Sequence, residues 1–226
     1  MLTDILLMII SLLAAIAIAF YLFYKFYFLR NPKRTAPKGD NIVSPADGKI
    51  VKIMRVSPLF SGKSSKTQYN HLTLNKGMFG RIKTLIEDVD KECYLIQIML
   101  TPFDVHYQKA PIDGTVTLVS YTEGAFHNAV KDAASLRCLE NEKNEMLFTR
   151  KFKNKKFSVK VIQIAGVLAR RIVCFVHAGK EIKKGEDIGL ITLGSQVSLI
   201  IPSSCNLKVR ENQYVYGGKT IIADIK

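Results

Sequence analysis

At 226 residues, 48% of them hydrophobic, the chain has enough apolar side chains for one packed domain and a short appendage, which excludes wholesale disorder. Thirty-three Lys and Arg against nineteen acids give a formal charge of +14. That excess favours an anionic partner, either nucleic acid or an acidic membrane surface, although a generally basic soluble surface accounts for it equally well. Cys93, Cys138, Cys174 and Cys205 lie far apart with no CxxC pair, so zinc-ligand spacing is absent. Cys93 and Cys174 sit within apolar runs and read as small buried hydrophobes.

From Ile5 to Tyr24 no residue is charged, and Leu, Ile and Ala dominate. A helix of that length rises about 30 Å, the thickness of a bilayer's hydrocarbon core. Tyr21, Tyr24 and Tyr27 stand where an aromatic interface belt belongs. Lys25, Arg30, Lys33, Arg34 and Lys38 come after the run and only Asp4 precedes it. Residues 1–30 are therefore expected to be a transmembrane anchor, with the rest of the chain on the cytoplasmic side. A cleaved signal peptide is the competing reading, but it wants a basic start and a shorter apolar core.

Residues 31–41, with two prolines, a glycine and several charges, read as a linker. Beyond it the pattern predicts a mainly β (α+β) fold: a compact sandwich or barrel-like domain over 42–226 with few short helices. Strands are expected at Val43–Val56, Cys93–Leu100, Thr115–Tyr121, Phe157–Ala165 and Ile172–Val176. A helix is expected over Asn128–Glu140 and a short one at Gly166–Arg171. Ser44-Pro45-Ala46-Asp47-Gly48-Lys49-Ile50 is echoed by Ala110-Pro111-Ile112-Asp113-Gly114-Thr115-Val116, each a proline-led turn whose Asp-Gly feeds a strand. Gly-bounded turns recur at Gly179–Glu186 and around Gly217-Gly218.

Four segments carry candidate chemistry: Ser44–Ile50; Thr101–Pro111, with Asp104-Val105-His106; Gln163–Val173, with Arg170-Arg171; and Leu193-Gly194-Ser195-Gln196-Val197 leading an apolar strand to Pro202. Each has a bland reading by itself. Asp-Gly makes turns, a lone histidine is often structural, an Arg pair is often solvated, and Gly194-Ser195 lacks the G-x-S-x-G pattern of a nucleophile elbow.

Together and in this order the segments resemble the phosphatidylserine decarboxylase proenzymes, in the short form that includes archaetidylserine decarboxylases. The likeness starts at the apolar anchor and Arg30-Asn31-Pro32, passes through all four segments and reaches Gly217-Gly218. It implies a pyruvoyl cofactor made from Ser195 when its hydroxyl attacks the Gly194 carbonyl and the chain cuts itself between Gly194 and Ser195. It implies decarboxylation of a serine-headgroup phospholipid, with the ketone as electron sink. Asp47 matches the aspartate of the self-cleavage machinery. His106 matches the family's acid/base histidine, expected to titrate near neutrality. Lys109 stands where longer members have a second histidine, and reads as a phosphate or carboxylate partner. Arg170 and Arg171 are candidates for the lipid phosphate. Gln196 and Ser198 depart from the Arg and Asp common in short relatives. The product would be a heterodimer of the two fragments, dimerised further. The tail of the lipid, ester- or ether-linked, is not legible.

Other classes stay in view. The repeated Gly-bounded turns also suit a membrane-tethered lipoyl-like or adaptor protein without catalysis, although there are no sustained heptads for a coiled-coil hairpin. The charge suits a nucleic-acid binder, but no binding motif accompanies it, and no nucleic-acid partner is expected. Arg150–Lys156 suits either an anionic lipid surface or a solvated hairpin tip. His71, His127 and His177 receive no role.

Overall fold

The apolar N-terminal run folds as one helix, in a computed structural model that describes residues 2–56, 67–69, 72–74, 89–90, 92–124, 141–166, 172–192 and 195–226. Leu2–Leu22 is α-helical and widens into a π-helical turn over Phe23–Phe28. The stretch Thr3–Phe28, of mean hydropathy 2.8, is long and apolar enough to cross a membrane. Residues 3–22 are exposed throughout, and only at Phe28 does this element become fully buried.

Past the helix the chain is mainly strand. Eight antiparallel strands curl into a half-barrel in the spatial order Glu181–Ile182, Gly114–Thr122, Lys143–Phe152, Lys155–Ala165, Ser195–Pro202, Cys93–Leu100, Gly48–Val56, Tyr214–Val215. Ser195–Pro202 lies inside the sheet with all eight residues buried, which suits its run of Val197, Leu199, Ile200 and Ile201. Its inward residues join Ile96, Ile98, Leu100, Phe148 and Val161 in the core. A second sheet joins Ile172–Cys174, Asp187–Ile191 and Tyr107–Lys109, and a third joins Asn41–Val43, Ile221–Asp224 and Asn206–Leu207.

The predicted strand Val43–Val56 is corrected to two, Asn41–Val43 and Gly48–Val56. Pro45 has no amide to give a ladder, and Gly48 sits at φ +144°. A Cβ there would lie 2.2 Å from the Met99 carbonyl oxygen, so only glycine lets the strand begin. Gly114 repeats the device at φ +145°, with Thr149 O at 2.4 Å from such a Cβ. After each glycine the register slips once, between Ile50 and Lys52 and between Val116 and Leu118. The echo in the sequence is thus an echo in the backbone.

Lys143–Phe152 is a strand that sequence reasoning does not mark, because its interleaved Lys, Asn, Glu and Arg mask the alternation. It joins Lys155–Ala165 through Lys153 and Asn154, both at positive φ (47° and 61°), as a two-residue hairpin turn requires. Arg150–Lys156 is therefore a hairpin tip. Cys93 and Cys205 are buried, Cys174 is half-buried, and all three are free thiols. The helix expected over Asn128–Glu140, all but Gly166 of the one expected at Gly166–Arg171, and Cys138 lie outside the described residues.

Candidate active site

The strand Cys93–Leu100 ends in a turn that delivers His106. Asp104 ties the turn: its Oδ2 accepts from Thr101 N at 2.6 Å and Thr101 Oγ1 at 2.9 Å, while Tyr214 donates its hydroxyl to Oδ1. Arg30 Nη2 donates to the Phe103 carbonyl at 2.6 Å. The His106 carbonyl accepts from Ile191 N at 3.4 Å and from Gln108 Nε2 at 2.7 Å. Gln163 Nε2 donates to Gln108 Oε1, and Asn144 Nδ2 to Gln163 Oε1, both at 2.8 Å. This buried row of amides fixes the backbone under the imidazole.

His106 Nδ1 lies 2.9 Å from the Asp104 carbonyl oxygen, which can only accept, so Nδ1 carries the proton and Nε2 presents its lone pair. Nε2 is buried without a hydrogen-bond partner. Phe28 stacks on the ring, with centroids 3.9 Å apart and planes at 30°. Burial pushes the imidazole down to about 4; the Asp104 carbonyl and the charges of Asp104 and Asp47 pull it up, and Arg30 pushes it down. The expectation of titration near neutrality is corrected accordingly: the buried imidazole is neutral at pH 7.

Ser195 opens its strand opposite Leu100 on one side and Ala165 on the other. Leu100 is the residue from which the His106 turn departs, and Ile191, four positions before Ser195, is bonded to the His106 carbonyl. Ser195 and His106 thus belong to the same end of the sheet. Ser195 Oγ, like His106 Nε2, is buried without a partner.

Asp47 is buried at the Asp-Gly turn and grips Arg34 with both oxygens, the Oδ2–Nη2 bond being 2.7 Å. Gly217 N donates to Asp47 Oδ1 at 2.7 Å, and Arg34 Nη1 donates to the Gly217 carbonyl at 2.9 Å. The pairing with Asp47 raises the Arg34 pKa further, so the guanidinium is permanently charged. Lys109 is also buried, and its ammonium donates to Asn31 Oδ1 at 2.9 Å and Asp187 Oδ1 at 2.5 Å. Asn31 Nδ2 closes the triangle to Asp187 Oδ2 at 2.7 Å. Gly194, Arg170 and Arg171 lie outside the described residues.

Sequence reasoning does not pick out Phe28, Asn31, Arg34, Asp187 or Tyr214 as members of the site, and it marks Asp104 within a candidate segment without giving it a role. Phe28, Asn31 and Arg34 come from positions that read as the anchor's end and a linker. Arg30-Asn31-Pro32 is the visible signal there, since it belongs to the family likeness.

The chain is similar to known proteins over nearly its whole length. The profile of a family described as phosphatidylserine decarboxylase matches residues 22–223. A phosphatidylserine decarboxylase proenzyme of Chlorobium limicola is 34% identical over 211 residues, covering 93% of this chain and 83% of that protein. A protein of Methanocaldococcus jannaschii, provisionally named an archaetidylserine decarboxylase proenzyme, is 34% identical over 213 residues, covering 92% and 93%. A phosphatidylserine decarboxylase proenzyme from the Wolbachia of Brugia malayi is 36% identical over 200 residues, covering 88% and 74%.

Proposed function

Because the chain belongs to the phosphatidylserine decarboxylase family, we propose that it removes the carboxyl group of a serine-headgroup phospholipid as CO2, leaving the ethanolamine lipid, once it has cut its own backbone between Gly194 and Ser195. The observation that carries this is that two buried polar atoms without a hydrogen-bond partner, Ser195 Oγ and His106 Nε2, belong to the same end of the sheet; Ser198 Oγ, further along the same strand, is likewise unpartnered. An unsatisfied buried hydroxyl costs about 1–3 kcal/mol, a cost that a reacting group justifies better than a packing one.

In self-cleavage His106 Nε2 takes the Ser195 hydroxyl proton, and Oγ attacks the Gly194 carbonyl carbon. The peptide C–N bond breaks as an ester C–O bond forms, and the freed amine keeps the proton. Loss of the Cα proton of residue 195 to a base breaks the Cβ–O bond and releases the Gly194 carboxylate; addition of water and departure of the nitrogen as ammonia then leave a pyruvoyl group on position 195. The residues fit such a group. A ketone needs no donor where the hydroxyl has none, and the strand's pairings with Leu100 and Ala165 hold the new terminus. When formed, the pyruvoyl supplies the electron sink for decarboxylation.

A proton that His106 Nε2 takes from the substrate's ammonium group is passed on to the substrate carbon that loses CO2. Asp47, held as a carboxylate by Arg34 and Gly217 N, fixes the Asp-Gly turn, and its negative charge favours a proton on His106. Lys109 spends two N–H bonds on Asn31 and Asp187 and keeps a third for a headgroup oxygen. Arg170 and Arg171 take the lipid phosphate. The N-terminal helix anchors the enzyme in the cell membrane, the basic residues after it keep the catalytic domain on the cytoplasmic side, and the two fragments stay together as a heterodimer.

Mass spectrometry of the purified protein tests this: a fragment starting at position 195 with a blocked, pyruvoyl N-terminus is expected. Ser195→Ala is expected to remain one chain and to release no CO2 from phosphatidylserine vesicles. A wild-type chain that stays intact yet decarboxylates, or an active Ser195→Ala, overturns the reading.

A further inference from the structure

Among the described residues of the long apolar helical stretch, Phe28 alone is fully buried, and it is buried against an imidazole. Its neighbours on the helical side stay in the open: Phe26 is 69% exposed and Tyr27 43%. Three later residues reach inward in order. Arg30 binds the turn before His106, Asn31 binds Lys109, and Arg34 binds Asp47. The stretch 28–34 therefore meets the proposed catalytic residues His106, Lys109 and Asp47 one after another.

Resting on the role given to His106 above, we propose that Phe28 is a positioning residue for the catalytic imidazole. Its ring, carried in by the membrane helix, holds the plane of His106 and keeps water from Nε2, so the site is assembled only when the anchor is docked.

The His106 ring has one hydrogen bond, through Nδ1, and a single bond leaves it free to rock about that axis. Stacking at 3.9 Å removes that freedom on one face. Exclusion of water matters as much, because a water on Nε2 would satisfy the lone pair and blunt it as an acceptor for the Ser195 proton. Three charged groups act on the imidazole. Asp104, on its own turn, and Asp47, on the facing turn, favour its protonation, and Arg30, from the strap, opposes it. Phe28 is neutral, so replacing it changes hydration and geometry without changing that charge set.

The test uses the full chain in lipid nanodiscs. In a Ser195→Ala background, which cannot cleave, the ring protons of the four histidines are followed by NMR across pH, and His106 is assigned by its loss in His106→Gln. With Phe28 present the signal is expected to titrate near about 4. In Phe28→Ala it is expected to move up towards about 6.5, the value of a hydrated imidazole. In the cleavage-competent chain Phe28→Ala is expected to slow self-cleavage at neutral pH roughly tenfold or more, and to shift the acid limb of its pH profile upward. Phe28→Leu keeps apolar volume but loses the flat ring, so it is expected to retain the melting temperature while cleaving more slowly than the parent. A His106 titration that does not move in Phe28→Ala, or a parental cleavage rate in Phe28→Leu, overturns the proposal. A parent chain that never cleaves counts against the activity instead, and the histidine titration still decides the positioning role.

Discussion

Residues 44–52 and 110–118 trace the same backbone path and end in different surroundings. Val43 N donates to the Pro111 carbonyl, and Lys109 N to the Pro45 carbonyl, so the residue leading into each copy is bonded to the other copy's proline. Gly218 N donates to Ser44 O, and Gly185 N to Ala110 O. Asp47 Oδ1 accepts from Gly217 N, and Asp113 Oδ1 accepts from Lys184 N. The two units are thus related by an approximate twofold exchange of partners. Yet Asp47 is buried under Arg34, whereas Asp113 faces solvent. The backbone supplies two equivalent carboxylates, and a strap arriving from the N-terminal helix covers one of them with a guanidinium.

The sharpest way to break this comparison is Asp47→Asn. It leaves the part-buried Arg34 guanidinium without its counter-charge, a loss of about 3–5 kcal/mol, and is expected to abolish self-cleavage. Denaturant unfolding and fragment analysis on gels read the two effects. Next come the glycines. Gly48→Ala and Gly114→Ala each push a methyl group into a backbone oxygen at positive φ, and each is expected to cost about 2 kcal/mol or more. Their unfolding midpoints should fall alike, while only Gly48→Ala slows cleavage.

Acid should act on the Asp47 side through His106. Its folded value near 4 lies below the unfolded value of about 6.5, so the unfolded chain binds the proton first. The stability conferred by a neutral buried ring is present in full above about pH 6.5 and is lost as pH falls to about 4. The melting temperature should drop across that window, and less steeply in His106→Gln. The smallest effect is expected for Asp113→Asn, under about 0.5 kcal/mol with normal cleavage, since an exposed amide oxygen still accepts from Lys184 N.

Much of this fold is written locally and much of the site is not. The bounds of Cys93–Leu100 and the apolar run to Pro202 emerge from side-chain type alone, because both are buried, β-branched or aliphatic stretches between turn residues. The Asp-Gly echo is legible because glycine alone tolerates φ near +144°. Lys143–Phe152 is obscured by charges on its partly exposed face. The site's contacts are hidden for another reason. Asn31 and Asp187 are 156 positions apart, Tyr214 and Asp104 are 110 apart, and no local pattern encodes such meetings. Ser195, His106 and Asp47 stand in ordered motifs of the family likeness, whereas the neutral state of His106 depends on burial that only the folded chain creates.

The location of Ser195 also bears on what holds the molecule together if its backbone is opened there. The C-terminal piece would contribute the edge strand Tyr214–Val215 and also an inner strand of the same sheet, with eight pairings to Cys93–Leu100 and six to Lys155–Ala165. It would also keep Tyr214 on Asp104 and Gly217 on Asp47. Peeling it away would tear a ladder on both flanks at once, so the severed polypeptide should melt as one body and resist separation by anything short of a denaturant.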